Sequence, residues 1–227
     1  MFAAVATGVV LSRWTQRPLD LTRGQRIGIA LGAFCGAMIG AKLPFVLADW
    51  DGLVSGRAWF ESGKTIVFGL VGGYFGVEVA KWSMAVRVKT GDSFAVPVAA
   101  AVGVGRLACF VGRCCFGVPT ALPWAVDFGD GLRRHPTQLY EFAFHVTAAC
   151  GLAWLQRRNR LRGQLIKLYI IVYLAFRFLT EFIRPEPVLW IGLTGYQLAS
   201  AALVPVFAAL WVQDSRRSAA SNASHCL

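Results

Sequence analysis

The sequence predicts an all-α integral membrane protein of seven transmembrane helices. The first is short or truncated, the N-terminus lies outside and the C-terminus inside, and a small extracytoplasmic loop carries a possible hairpin. Three observations predict this. Of the 227 residues, 56% are hydrophobic and only 15% charged, with a mean hydropathy of +0.53, against roughly 25% charged in soluble domains. Apolar stretches recur along the chain at or near the ~20 residues a spanning helix needs. The basic residues, 23 Lys and Arg against 12 Asp and Glu, fall mainly in alternate loops. Disorder is excluded by the same composition, and six Cys without regular spacing do not make a secreted disulfide scaffold.

The first segment, Phe2 to Ser12, is apolar but too short to cross alone, and it lacks the basic n-region and small-residue cleavage site of a signal peptide. It reads as half of a first helix cut short by a late start codon, with a short interfacial segment as the alternative. Six further spans follow: Ile27 to Ala48, Thr65 to Trp82, Phe94 to Gly117, Leu139 to Leu155, Leu165 to Ile183, and Val188 to Val212. No Ser/Gly linker divides them, so residues 1–213 form one polytopic domain and residues 214–227 a disordered cytoplasmic tail.

The charges orient the helices. Arg13, Arg17, Arg23 and Arg26 follow the first segment, and Lys81, Arg87 and Lys89 the third. Arg157, Arg158, Arg160, Arg162 and Lys167 follow the fifth, and Arg216 and Arg217 the last. The opposite loops hold Arg57, Lys64, Arg133, Arg134 and Arg184 together with six acids, Glu61 among them. The basic side is cytoplasmic. In the longest outer loop, the alternation around Trp124, Val126 and Phe128, followed by Asp130-Gly131, predicts a strand or hairpin.

Lys42, Arg106, Arg113, Arg177, Glu78, Glu141 and Glu181 lie within the spans or at their ends. An arginine at a helix centre costs ~3 to over 10 kcal/mol unless it pairs or faces water. Glu78 has Lys81 and Lys42 near it for a structural ion pair, and Arg113 can snorkel to the outer surface. Arg177 and Glu181, at i and i+4, can pair on one helix face. Arg106 stands mid-span among Gly103, Gly105 and Gly112 with no local partner, suited to gripping a phosphate bidentately. At the next span's outer end, His135-Pro136-Thr137-Gln138-Leu139-Tyr140-Glu141 opens a helix, with Pro136 in its first turn. His135 reads there as a base or as a donor to a charged head group, facing the two arginines.

Taken together, these segments resemble the prolipoprotein diacylglyceryl transferase family of bacterial membrane enzymes. Gly105-Arg106-Leu107-Ala108-Cys109-Phe110 through Gly117 is similar to the family's signature segment, and Arg134 to Glu141 to its His-Pro-Ser/Thr-Gln-Leu-Tyr-Glu block. Arg177-Phe178, Glu181-Phe182 and Arg184 resemble its arginine-bearing penultimate helix, with a weaker match from Gly36 to Leu43. The resemblance implies location in the bacterial cytoplasmic (inner) membrane. It also implies transfer of a diacylglyceryl group from phosphatidylglycerol, or a related anionic phospholipid, to the cysteine beside a lipoprotein precursor's signal peptide. A thioether forms and glycerol phosphate leaves. Arg106 and Arg177, with Arg113, would bind the lipid phosphate, and His135 would take the thiol proton or orient the head group. Tyr140 and Glu141 would support the site, and Glu181 would orient Arg177. No cofactor, metal or nucleic acid is expected.

The chain departs from the family pattern at three polar positions: Cys109 stands where Asn is usual, Cys114 where Glu is usual, and Val71 before Gly72-Gly73 where His is usual. Cys35 and Cys109 read as small buried hydrophobes. Cys114 and Cys115, near the outer face, are candidates for a thiol-carrier or redox role, and the C-x₄-C-C spacing matches no standard zinc pattern. Two other readings stay open: an enzyme of this architecture with another donor or acceptor, and a binding or transport protein for an anionic lipid.

Overall fold

The computed structural model describes residues 2–15, 19–59, 63 and 65–224, so the charges expected at Arg17, Glu61 and Lys64 lie outside the described residues. Its helices are α1 (Phe2–Thr15), α2 (Arg23–Ala48), α3 (Trp50–Ser55), α4 (Ile66–Ser83), α5 (Gly91–Val111), α6 (Thr137–Arg157), α7 (Leu165–Thr180) and α8 (Gly195–Ser224). Two antiparallel hairpins accompany them: β1 (Val126–Asp127) with β2 (Arg133–Arg134), and β3 (Val188–Trp190) with β4 (Leu193–Thr194). Among the described residues, α2, α5 and the Gly195–Arg217 part of α8 are long and apolar enough to cross a membrane.

Each expected span contains a helix, but three boundaries move. α5 ends at Val111, not Gly117. Gly112 caps it and Arg113 takes a left-handed φ of 51°. The Arg113 amide then bonds the Phe110 carbonyl and the Cys114 amide the Cys109 carbonyl, each at 3.1 Å. This is the Schellman closure, which satisfies carbonyls that a helix end leaves bare. The last span begins not at Val188 but after the β3–β4 hairpin, which turns at Ile191 and Gly192, both at positive φ. α8 continues to Ser224, past position 213.

The chain forms two compact units, one of α2–α4 and the other of α1 with α5–α8. In the first, a capping box opens α2: the Gln25 amide donates to the Thr22 hydroxyl and the Thr22 amide to the Gln25 side chain. α2 carries glycine at every fourth position from Gly24 to Gly40, so one face is bare backbone. α4 presents Gly72 and Gly76 to it. A methyl added at Gly36 would stand 2.3 Å from the Gly72 carbonyl oxygen, and one at Gly76 2.1 Å from that of Gly32. This is the small-residue packing by which membrane helices approach closely without side-chain interdigitation. Gly36→Leu is therefore expected to cost at least the ~1–3 kcal/mol typical of overpacking, because the opposing atoms are backbone and cannot rotate away. Gly24→Ala, which meets nothing within 4 Å, is the neutral control in thermal unfolding of the detergent-solubilised chain. The ion pair foreseen for Glu78 forms with Lys81 at 3.0 Å.

In the second unit, α5 packs on α1 and α6, and α7 on α8. α7 buries Leu165, Tyr169, Tyr173 and Arg177, a stripe of period four whose next step is the buried Glu181 of the following 3₁₀ turn. α6 buries Gln138, Glu141 and His145 on one face. The two stripes meet as a ladder of polar side chains: Tyr169 Oη lies 3.0 Å from His145 Nδ1, and the Tyr173 hydroxyl donates to Glu141 Oε2 at 3.3 Å. Gly103 of α5 admits α6, since a Cβ there would touch that of His145 at 3.3 Å. Its role is packing, whereas Gly105 has open space beside it. Lys167, expected among the cytoplasmic bases, is 2% exposed and donates to Gln164 and Asp214 at 2.7 and 2.5 Å.

Candidate active site

The ladder leads to a carboxylate gripped by three guanidiniums. Glu141, in the second turn of α6, is 1% exposed. Its Oε2 accepts from Arg106 Nε at 2.6 Å, and its Oε1 from Arg177 Nη1 at 3.3 Å and Arg184 Nη1 at 3.1 Å. Arg106 comes from α5, Arg177 from the last turn of α7, and Arg184 from the residue ending the 3₁₀ turn. The expectation of an unpaired Arg106 is thus overturned: Glu141, 35 residues away in sequence, supplies the missing charge. Arg177 also binds Glu181 at 2.8 Å, as the i, i+4 spacing suggested, and its guanidinium lies 4.5 Å over the Tyr196 ring. Glu181 in turn accepts from the Thr194 hydroxyl at 3.0 Å.

Burying ions costs several kcal/mol each unless charge and hydrogen bonds compensate. Here three guanidiniums pair directly with two carboxylates, one positive charge in excess among these paired groups, with Glu186 near enough to act on Glu181 electrostatically. Arg184 Nε is buried without a hydrogen-bond partner. A cationic cluster with a spare donor is an anion site in chemical terms.

His135 and Tyr140 form a second group. His135 Nδ1 lies 3.3 Å from Tyr140 Oη, which also accepts from the indole N–H of Trp124 at 2.7 Å. The Nδ1 side of the His135 ring is thus engaged by Tyr140. Trp124, which the sequence placed in the predicted hairpin region, thus fixes this hydroxyl. The predicted hairpin is β1–β2, closed by Asp127, whose Oδ1 accepts from the Gly129 and Gly131 amides. Arg134 donates to Asp130 at 2.7 Å and holds that exposed carboxyl below the usual carboxylate range. Arg113 is exposed, with a guanidinium nitrogen against Gly129, and is not part of the Glu141 cluster.

α6 also pins the turn after α5. The Thr137 hydroxyl donates to the Cys115 carbonyl at 2.7 Å and the Gln138 amide to the Cys114 carbonyl at 2.5 Å. Of the cysteines expected to be buried, Cys109 is half-buried and Cys35 is exposed, because it lies off the packed glycine face of α2. Sequence reasoning passed over Tyr173, His145 and the central role of Arg184. The period-four run Tyr169, Tyr173, Arg177, Glu181 and the i+4 spacing of Glu141 and His145 were the available signals.

Long apolar helices, with a buried cluster of guanidiniums and carboxylates between α5, α6 and α7, define a helical membrane protein. The chain belongs to the prolipoprotein diacylglyceryl transferase family, whose model matches residues 1–213. It is similar to a phosphatidylglycerol–prolipoprotein diacylglyceryl transferase from Clostridium tetani, 30% identical over 172 residues that cover 70% of this chain and 68% of the relative. The enzyme of that name from Leifsonia xyli subsp. xyli is 31% identical, covering 81% of this chain and 64% of its own. That from Cupriavidus metallidurans is 33% identical over 231 residues, covering 93% and 81%. The chain thus spans about two thirds of the length of the first two relatives and about four fifths of the third.

Proposed function

We propose that this protein transfers a diacylglyceryl group from phosphatidylglycerol to the cysteine thiol of a lipoprotein precursor, at the outer leaflet of the bacterial inner membrane. In this reading the chain crosses the membrane seven times, N-terminus out and C-terminus in. The basic residues between helices on the opposite side support that orientation. One observation carries the reading: the buried cluster of Arg106, Arg177 and Arg184 on Glu141, with its excess positive charge.

The reaction needs that arrangement. The cysteine thiol gives its proton to water, the thiolate attacks an sp³ carbon of the glyceryl group, the C–O bond to phosphate breaks, and glycerol phosphate departs with the electron pair. Charge grows on the phosphate oxygens in the transition state, and donors held in advance in a dry site stabilise it without reorganising. Glu141 and Glu181 fix the guanidinium planes, so these two carboxylates position and the arginines bind. Arg113, outside the cluster, would meet the lipid head group from the surface side. At His135, the indole N–H of Trp124 occupies one lone pair of the Tyr140 hydroxyl. The Tyr140 proton can then go to His135 Nδ1. That pattern puts the imidazole proton on Nε2 and makes His135 a donor that orients the head group.

The test is to incubate the purified protein with phosphatidylglycerol and a lipobox peptide bearing one cysteine. The peptide is expected to gain the mass of a diacylglyceryl group with stoichiometric release of glycerol phosphate. An unmodified peptide, under conditions where a Cupriavidus relative converts it, would eliminate this donor–acceptor pair.

A further inference from the structure

The proposed chemistry makes no use of Cys109, Cys114 and Cys115, yet the fold brings their sulfurs together. Their Sγ atoms all lie within 4.8 Å of one another, and those of Cys114 and Cys115 are 3.7 Å apart. The linear spacing hides this. A helix continued past Val111 would carry Cys114 onward along the axis. The Schellman closure instead folds the chain back, and the amide bond from Cys114 to the Cys109 carbonyl sets the two side chains side by side. That position commonly holds an apolar contact, and here it holds two thiols. Cys115 follows at a left-handed φ of 63°, which turns its side chain toward the same point. The hydrogen bonds from Thr137 and Gln138 then hold both carbonyls, so the turn is anchored to α6 independently of the thiols.

We propose that Cys109, Cys114 and Cys115 form a three-thiolate site for a single thiophilic d¹⁰ cation, with Zn²⁺ as the probe. The dimensions fit. A Zn–S bond of ~2.3 Å in tetrahedral geometry separates neighbouring sulfurs by ~3.8 Å, close to the 3.7 Å of the vicinal pair. The third sulfur comes within that spacing by a side-chain adjustment. A disulfide between Cys114 and Cys115 fits less well, because adjacent cysteines do not readily close a relaxed one. Two of the ligands are exposed and one half-buried, so an ion can reach them from the protein surface. Three protein ligands leave a tetrahedral ion one exchangeable position, the pattern of reactive rather than purely structural zinc sites. The site stands on sulfur geometry and does not depend on the transferase reading.

The test uses the reduced full-length protein in detergent, with Cys35, Cys150 and Cys226 replaced by Ser. Zn²⁺ is titrated in competition with a chromophoric chelator, and Cd²⁺ is titrated while the thiolate-to-metal charge-transfer band is followed. One equivalent of each ion per chain is expected, with a band intensity corresponding to three thiolates. Loss of an outer-shell partner alone weakens metal sites ~10–100-fold. Each of Cys109→Ser, Cys114→Ser and Cys115→Ser is therefore expected to weaken Zn²⁺ binding at least that much. Thr137→Val, which removes only the hydroxyl holding the Cys115 carbonyl, should weaken it less while leaving the band. No charge-transfer band on the folded parent protein would overturn the proposal. So would zinc affinity unchanged in the Cys109→Ser/Cys114→Ser/Cys115→Ser variant, or a thiol count two short under mild oxidant with no metal bound. Because the readout is metal binding, failure here leaves the transfer assay untouched, and the reverse holds equally.

Discussion

Glu141→Gln is expected to be the most damaging single substitution in this protein. The side chain keeps its shape and one acceptor oxygen, but three guanidiniums lose the charge that makes their burial tolerable. Removing one partner of a buried ion pair typically costs ~3–5 kcal/mol, and here one carboxylate serves three partners. Thermal unfolding in detergent should show a large drop in midpoint. Adding inorganic phosphate should recover part of it, because an anion entering the cluster replaces the missing charge. The same addition should stabilise the parent protein less. Glu141→Asp keeps the charge but withdraws the carboxylate by one methylene, and should fall between the two. A Glu141→Gln protein that unfolds with the parent would show that the cluster is not held through this residue.

Arg177→Lys should separate catalysis from stability. Lysine keeps the positive charge near Glu141 and Glu181, so unfolding should change far less than in Glu141→Gln. A single ammonium cannot span both carboxylates as the Arg177 fork does, with one nitrogen on each, nor offer a planar pair of donors to a phosphate. Loss of one preorganised donor from a transition-state site costs ~10²–10³ in turnover, and the rate of thioether formation is expected to fall by that order. Arg106→Lys should behave likewise. Retention of turnover within about tenfold in both variants would remove the arginines from the role proposed for them.

Much of this was legible in the sequence, because a bilayer leaves few choices. An apolar run such as Ile27 to Ala48 became α2, since backbone groups in hydrocarbon must bond within their own segment. The local pair Arg177–Glu181 was readable because one helix turn determines it. The partner of Arg106 was not, because it lies on another helix and no periodicity records which faces of α5 and α6 meet. The end of α5 was missed for a different reason. The residues after Val111 remain apolar, and the left-handed residue that stops the helix is Arg113 where glycine is the usual signal. For the cysteines, a spacing rule drawn from known metal motifs could not anticipate a chain reversal between the first ligand and the second.

The glycine face shared by α2 and α4 has a consequence for lipid traffic. Where Gly36 and Gly72 face each other, there is no room even for an added methyl group, so an acyl chain has no room there either. An opening between these two helices would have to break a contact that runs for several turns, from Gly32 against Gly76 to Gly40 against Phe68. The pair therefore behaves as a closed wall. A two-tailed lipid entering sideways from the bilayer, or a lipidated product leaving the same way, must use a seam lined by side chains that can swing aside.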